Sequence, residues 1–281
     1  MNRAPRVATI NDISGFGRCS LTTAIPVLSV LGVQCCPVPT AVLSCHTGFE
    51  SFFFKDLTDI IPQYLSGWRE MELEFDSVYS GFLGSLEQIS LTEDFILSQK
   101  NSPLIVIDTV MGDGGKIYAT YTDKMCLEMK KLVSLADVIT PNVTEACFLT
   151  GEEYCGEDVS IEKASVIAEK LCALGAKSSV ITGIEKGSRL VNLVYKNGKI
   201  ELVETDKAPK TFSGTGDLFA SCLTGLLVKG KPLDCAVYET SQFILDCIQS
   251  TISAKTPVMD GVKFEPLLYK LGGNFYEIKN Y

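Results

Sequence analysis

Hydrophobic and polar residues are arranged along this chain as short apolar runs that alternate with longer segments of helical periodicity. The apolar runs predict strands near 7–10, 33–38, 76–82, 104–107, 137–140 and 179–183. Helical spacing predicts helices near 21–31, 57–71, 86–98, 160–174, 218–228 and 233–252. Alternating segments on either side of Asn197-Gly198 predict a β-hairpin over residues 189–204. This order predicts an α/β fold, with a central, mostly parallel sheet flanked by helices in a single domain over residues 1–281.

Polar residues follow several of the predicted strands, at the edge where open parallel sheets bind ligands. Asp12 follows the first strand, and Asp108 follows the continuous β-branched run at 104–107. Asp108 and Asp113, which lies on a glycine-rich loop, suit a hydrated cation or a magnesium ion bound to phosphate. Simpler roles are also open, because Asp12 can cap the next helix and Asp113 can be a solvated surface residue.

A further strand ends at Thr140-Pro141-Asn142, with Glu145 three residues beyond the asparagine. This spacing is close to a capping box, in which both side chains satisfy backbone groups at the start of a helix. The functional alternative is that Asn142 and Glu145 face a metal–phosphate site at the end of the strand.

The segment Gly214-Thr215-Gly216-Asp217 immediately precedes an apolar helix. Glycines allow close approach to a ligand, and the free N–H groups and dipole of the helix start favour an anion such as phosphate. A carboxylate at such a place suits a general base that takes a proton from a substrate hydroxyl. The simpler interpretation is that Asp217 is only a favourable first-turn aspartate.

Composition narrows the functional classes. The 281 residues have 46% hydrophobic content and a mean hydropathy of +0.20, but no apolar run reaches the roughly 18 residues of a membrane helix. We therefore expect a soluble protein without a membrane partner. The formal charge of −9 disfavours nucleic-acid binding. The 11 cysteines lack Cys-x-x-Cys spacing and fit reduced thiols in the cytoplasm, and the single histidine, His46, excludes a histidine metal cluster.

Two other motifs are set aside. Residues 225–231 have spacing similar to a P-loop, but Pro232 follows instead of Ser or Thr, at a helix end. Gly15-Phe16-Gly17 follows the first strand, but Ser20 stands where a dinucleotide-binding fingerprint requires its third glycine.

Five clusters in matching order resemble the ribokinase-like small-molecule kinases and, within them, the pyridoxal kinases. Ser44-Cys45-His46-Thr47-Gly48-Phe49 is similar to the family's Ser-Asn-His-Thr-Gly-Tyr, and residues 80–85 are similar to its Ser-Gly-Tyr-Leu-Gly-Ser. Residues 108–113 resemble Asp-Pro-Val-Met-Gly-Asp, residues 140–145 resemble Thr-Pro-Asn-x-x-Glu, and residues 214–217 are the superfamily's Gly-Thr-Gly-Asp. The resemblance spans residues 6–229.

This resemblance implies a ribokinase-like fold and transfer of the ATP γ-phosphoryl group to the 5′-hydroxymethyl group of pyridoxal, pyridoxine or pyridoxamine. Asp217 would be the catalytic base. The anion hole would be formed by the amides of Gly214, Thr215 and Gly216. The vitamer pocket would be lined by Asp12, Thr47, Phe82 and Asp217.

The resemblance also implies cofactor sites and an assembly. Magnesium would be organised by Asp113 and Glu145, directly or through water. A monovalent cation such as K⁺ would be held near Asp108, Thr140 and Thr182, because these residues match positions that hold such an ion in relatives. The nucleotide would be bordered by Asn142, Thr182 and the segment 207–213, including Ser213. A homodimer is the usual assembly of such kinases.

Four positions depart from the pyridoxal kinase pattern. Asp12 replaces Ser, Cys45 replaces Asn, Phe82 replaces Tyr and Thr109 replaces Pro. The first three touch the expected pocket, so phosphoryl transfer is better specified than the vitamer. The alternatives are a hydroxymethylpyrimidine or other ribokinase-like alcohol kinase, and a vitamer- or nucleotide-binding protein without turnover.

Overall fold

The computed structural model describes residues 3–272, and its nine-stranded sheet contains the six predicted strands, the two strands of the predicted hairpin and a short edge strand at residues 54–56 that was not predicted. The strands are β1 Arg6–Ser14, β2 Gln34–Leu43, β3 Phe54–Asp56, β4 Ser77–Ser80, β5 Leu104–Ile107, β6 Gly112–Asp113, β7 Lys116–Ile117, β8 Val138–Ile139, β9 Ser178–Lys186, β10 Arg189–Lys196 and β11 Lys199–Asp206. The helices are α1 Ser20–Val30, α2 Ile61–Glu70, α3 Leu86–Leu97, α4 Asp123–Leu135, α5 Val143–Thr150, α6 Ile161–Ala173, α7 Thr215–Val228 and α8 Leu233–Ser253. Two 3-10 helices, Val258–Asp260 and Glu265–Lys270, follow.

The strand order in the sheet is β11-β10-β9-β8-β5-β4-β1-β2-β3. The six strands from β9 to β2 pair in parallel, whereas β3, β10 and β11 are antiparallel to their neighbours. The short strands β6 and β7 form a separate ribbon. Because the six central strands are parallel, their carboxyl ends meet at one edge of the sheet, which is where the predicted polar residues lie.

A hydrophobic core covers each face of the sheet. Ala8 in β1 and Val78 in β4 face a core built with α2 to α6, whereas Val7 and Tyr79 face the other core, built with α1, α7 and α8. Adjacent strand residues thus point to opposite cores, which explains why the central strand β5 is apolar throughout instead of alternating.

The predicted hairpin is confirmed, and its turn residues Asn197 and Gly198 both have positive φ, as a two-residue hairpin turn requires. Two strands are longer than predicted. Strand β1 continues to Ser14 because it pairs with β2 as far as Ser14 opposite Leu43, so Asp12 lies inside a strand and not in a turn. The same pairing extends β2 to Leu43, beyond the end predicted near residue 38.

Helix α4 was not among the predicted elements. Its apolar positions are separated by several charged residues, and the side chain of Thr122 caps its start by accepting from Met125 N. Among residues 3–272, no helix combines the length and hydrophobicity needed to cross a membrane.

Candidate active site

The amino end of α7 lies open at the site. Gly214 precedes this helix with φ of 75°. It packs so closely on the loop after β1 that an added Cβ would lie 1.8 Å from the Arg18 carbonyl oxygen. Only glycine fits both conditions. Among the described residues no side chain caps this helix, and the Thr215 hydroxyl donates instead to Phe212 O at 2.7 Å. The N–H groups of residues 214–216 are therefore available to an anion.

Asp217 lies in the first turn of α7 and is half-buried. Its Oδ1 accepts a hydrogen bond from Asn11 Nδ2 at 3.2 Å, and the Ser20 backbone N–H also donates to its carboxyl group. Burial, helped by the nearby charge of Asp12, raises the pKa of Asp217 from 3.8 to about 6, against the opposing effect of these two donors. Asp217 is thus ionised at neutral pH and suited to accept a proton.

Asp12 lies in β1 near Asp217 and is buried, with an exposed fraction of 5%. Its Oδ2 accepts from Ser14 Oγ at 2.8 Å, and the Ser20 hydroxyl provides a further hydrogen bond. Burial raises the pKa of Asp12, while these hydroxyls oppose the rise. Two neighbouring carboxylates give this part of the site a preference for a cationic or proton-donating group.

The other two predicted pocket residues lie on the loops that follow β4 and β2. Phe82, just after β4, is buried; its N–H donates to Asn11 Oδ1 at 2.9 Å and its carbonyl accepts from Thr40 Oγ1 at 2.9 Å. Thr47 is exposed on the loop after β2. The structure therefore brings Phe82 to Asp12 through Asn11.

His46 has a structural role in that loop. Gly48 N–H donates to Nδ1 at 3.2 Å, so Nε2 carries the proton and donates to Met259 O at 2.8 Å. The ring also fills the space beside Gly17, where an added Cβ would lie 2.4 Å from the imidazole. His46 thus ties the loop after β2 to residues 258–260, which also contact Ser213 through its N–H at 3.4 Å from Val258 O.

A second acidic group surrounds Glu145. Its carboxylate accepts from Thr109 Oγ1 at 2.8 Å, Met111 N at 2.8 Å and Asn142 N at 3.0 Å. The Asn142 side chain accepts in turn from Glu145 N at 2.8 Å, so the predicted capping box is confirmed. Burial raises the pKa of Glu145 to about 6, while its hydrogen-bond donors lower it. Proline at position 109 could not provide the hydroxyl donor.

Asp108 lies between the two acidic groups. Its Oδ1 accepts from Thr140 Oγ1 at 3.0 Å, and its pKa is raised well above the usual range, first by burial and then by the charges of Glu145 and Asp217. Thr182 lies on the neighbouring strand, in a bridge with Asn142. Carboxylate and hydroxyl oxygens are the ligands that a hard cation prefers. A cation here would offset the repulsion between Asp108 and the carboxylates of Glu145 and Asp217.

The predicted magnesium ligands differ in how many hydrogen bonds from the protein they already accept. Asp113 is exposed on β6, and its Oδ1 accepts from Gly114 N at 2.8 Å. Glu145 is already surrounded by protein donors, and the Asn142 amide also donates to Gly112 O at 2.8 Å. Within residues 3–272, no three His, Cys, Asp or Glu side chains form a metal-binding group. The residues fit magnesium held by few carboxylates, with water and phosphate as the other ligands.

The structure thus brings four of the predicted carboxyl groups close enough to interact: Asp108 with Glu145 and Asp217, and Asp217 with Asp12. Sequence reasoning missed Asn11, which contacts both Asp217 and Phe82. The only signal in the sequence was its position, a polar residue directly before Asp12 at the end of an apolar run.

Comparisons with known proteins show which family the chain resembles. The family model for phosphomethylpyrimidine kinase matches residues 21–260. A hydroxymethylpyrimidine/phosphomethylpyrimidine kinase of Haemophilus influenzae is 33% identical over 90% of this chain and 94% of its own length. A pyridoxal kinase of Arabidopsis thaliana is 30% identical over 78% of this chain and 73% of its own length.

A solved structure extends the comparison to the fold. A protein of Bacteroides thetaiotaomicron, assigned to the phosphomethylpyrimidine kinases and crystallised with pyridoxal, is 38% identical and superposes with a TM-score of 0.91 over 95% of this chain and 96% of that chain. The predicted ribokinase-like fold is confirmed. Within the ribokinase-like kinases, the chain matches both phosphomethylpyrimidine kinases and pyridoxal kinases. It belongs to the phosphomethylpyrimidine kinase family.

Proposed function

We propose that this protein transfers the γ-phosphoryl group of ATP to the 5′-hydroxymethyl group of a B6 vitamer: pyridoxal, pyridoxine or pyridoxamine. The observation that carries the proposal is the position of Asp217, a carboxylate whose pKa of about 6 suits a base, within the open amino end of α7. A base beside an anion-binding helix end is what phosphoryl transfer to an alcohol requires. The pyridoxal kinase relative and the pyridoxal-bound neighbour support the vitamer as substrate.

In this reaction Asp217 accepts the proton of the substrate hydroxyl. The alcohol oxygen forms a bond to the γ-phosphorus, the bond from that phosphorus to the β–γ bridging oxygen breaks, and ADP leaves. The N–H groups of Gly214, Thr215 and Gly216 stabilise the negative charge on the transferred group. Asp12, Thr47 and Phe82 line the vitamer pocket, with the Asp12 carboxylate favouring a substrate amine.

Magnesium would be held by Asp113 and the nucleotide phosphates. Glu145 would act on it through water, and it also accepts hydrogen bonds from Thr109 and Met111 in the segment that leads to Asp113. A bound magnesium ion supplies positive charge to the phosphates. K⁺ would bind near Asp108, Thr140 and Thr182, where the buried carboxylate is otherwise uncompensated. Asn142, Thr182 and Ser213 would border the nucleotide. A cytoplasmic homodimer is part of the proposal and rests on the family resemblance.

A second substrate is favoured by a specific observation: the Haemophilus influenzae relative, at 33% identity, is a hydroxymethylpyrimidine/phosphomethylpyrimidine kinase. Hydroxymethylpyrimidine presents a similar primary alcohol on a flat ring. The same base and anion hole would serve it.

The test is ADP release by the purified protein with ATP and Mg²⁺, when pyridoxal, pyridoxine, pyridoxamine or hydroxymethylpyrimidine is added in turn. Stimulation by the B6 vitamers supports the proposal, and Asp217→Ala should lower that turnover by about 10²–10⁴-fold. Stimulation by hydroxymethylpyrimidine alone would show that the reaction is phosphoryl transfer but that the substrate is the pyrimidine and not a B6 vitamer. No stimulation by any of the four refutes the proposal.

A further inference from the structure

We infer that Asn11 is a positioning residue for the base: its side-chain amide holds the Asp217 carboxylate in one orientation and favours its ionised, proton-accepting form. The inference deepens the proposed function and rests on it for its catalytic consequence. It assigns a role to a residue that the motif comparison did not single out, although Asn11 is fully buried at the centre of the site.

The orientation of the Asn11 amide is determined by its own contacts. Its Oδ1 accepts two backbone hydrogen bonds, from Asp12 N at 3.0 Å and from Phe82 N at 2.9 Å. An NH₂ group at that position would face two donors, so the amide cannot be flipped. The Nδ2 group is therefore directed to Asp217 Oδ1, at 3.2 Å.

Gly81 prevents the amide from moving aside. An added Cβ at Gly81 would lie 2.3 Å from Asn11 Nδ2 and 2.6 Å from Cγ, so the backbone of the loop after β4 is packed directly on the amide. Strand β1, this loop and the amino end of α7 thus converge on one side chain. A bond to the base from such a fixed group restricts the orientation of the carboxylate more than a bond from a flexible surface residue.

The charge environment gives this bond a chemical consequence. The nearby charge of Asp12 favours the protonated base, whereas the Asn11 donor favours the ionised base. At neutral pH only the ionised carboxylate can accept the proton of the substrate hydroxyl. Loss of the Asn11 donor would leave the effect of Asp12 less opposed.

A purely structural role is the alternative, because Asn11 also holds Phe82 N and Asp12 N. Asn11→Asp separates the two roles: the nearly isosteric side chain keeps an oxygen acceptor for both backbone N–H groups but loses the donor to Asp217. It also introduces a like charge beside the base. Asn11→Ala removes the donor without adding charge and is the second variant, in case Asn11→Asp does not fold.

The experiment measures kcat against pH for the wild type and both variants, with the substrate found in the turnover assay. We expect the acid limb of the Asn11→Asp profile to move up by about one pH unit or more, the usual effect of a like charge. The KM for ATP should change less than about twofold, because the donor acts on the base. In the Asp217→Asn background, Asn11→Asp should cause no further loss of kcat.

A matched control is Asn192→Asp. Asn192 is also buried, accepts from Gly183 N at 3.1 Å and donates to Ser241 Oγ at 2.8 Å, but lies in β10 away from the base. Its variant should leave the pH profile of the folded fraction unchanged. An Asn11→Asp profile that superimposes on the wild type, or an equal loss with and without Asp217, overturns the inference.

A titration without turnover keeps this inference distinct from the proposed function. In protein with 13C-labelled aspartate, the carboxyl signal missing from Asp217→Asn identifies Asp217. The pH at the midpoint of the Asp217 titration should rise in Asn11→Asp and in Asn11→Ala. An unchanged midpoint in both variants overturns the inference even if no alcohol is phosphorylated. A raised midpoint in a protein that phosphorylates none of the four alcohols supports the positioning role and refutes only the proposed function.

Discussion

Replacement of Asp217 by asparagine should make the ligand-free protein more stable while abolishing most of its activity. Burial and the charge of Asp12 raise the pKa of Asp217 from 3.8 to about 6. Since one pKa unit corresponds to about 1.4 kcal/mol, ionised Asp217 destabilises the folded protein at neutral pH by roughly 3 kcal/mol. Asparagine has nearly the same shape and carries no charge, but it accepts weaker hydrogen bonds from Asn11 and Ser20. We expect a net gain of about 1–2 kcal/mol at pH 7.5.

The sign of the pH dependence follows from the raised pKa. The folded protein binds a proton on Asp217 more tightly than the unfolded chain does, so this carboxyl group destabilises the fold least at low pH and most above pH 6. The advantage of Asp217→Asn should therefore decrease by about 1.4 kcal/mol between pH 7.5 and pH 5, which is most of the gain expected at pH 7.5.

The assay is urea unfolding of the wild type and the variant at both pH values, without ligands. Asp59→Asn is the matched control, because Asp59 is exposed and its replacement should leave the free energy of unfolding unchanged at either pH. A variant that is less stable than the wild type at pH 7.5, or a gain that grows as the pH falls, would refute the reasoning about buried charge.

Three further predictions concern the same site. Gly214→Ala should destabilise the fold by about 2 kcal/mol or more and weaken ATP binding, because its φ is positive and the new Cβ meets the Arg18 carbonyl; Gly216→Ala, with open space around its Cβ, should fold normally in the same thermal melts. Asp12→Ser should change the ranking of catalytic efficiencies for pyridoxal, pyridoxine and pyridoxamine, with the greatest loss for the amine; an unchanged ranking would reject a role in specificity. The kcat of the wild type should fall as the pH decreases through about 6, when Asp217 becomes protonated, and a flat profile between pH 5 and 8 would exclude Asp217 as the base.

The sequence alone determined the elements with strong local signals. Strand β5 and helix α3 follow directly from apolar periodicity, and the turn at Asn197-Gly198 is specified by residues that tolerate positive φ. The capping box of Asn142 and Glu145 was also legible, because it depends only on residues three apart. The glycines and Asp217 at the start of α7 predict an anion-binding helix end from local sequence alone.

Tertiary structure decided how these residues work together. The length of β1 depends on its partner β2, and this pairing moved Asp12 from a turn into a buried strand. Asn11 and Asp217 are 206 residues apart in the chain yet 3.2 Å apart in space, and no periodicity encodes that contact. The raised pKa values of Asp217 and Glu145 likewise arise from burial and from neighbouring groups that only the fold brings together. Local pattern therefore specified which residue types stand at the sheet edge, whereas long-range packing set their charge states and partners.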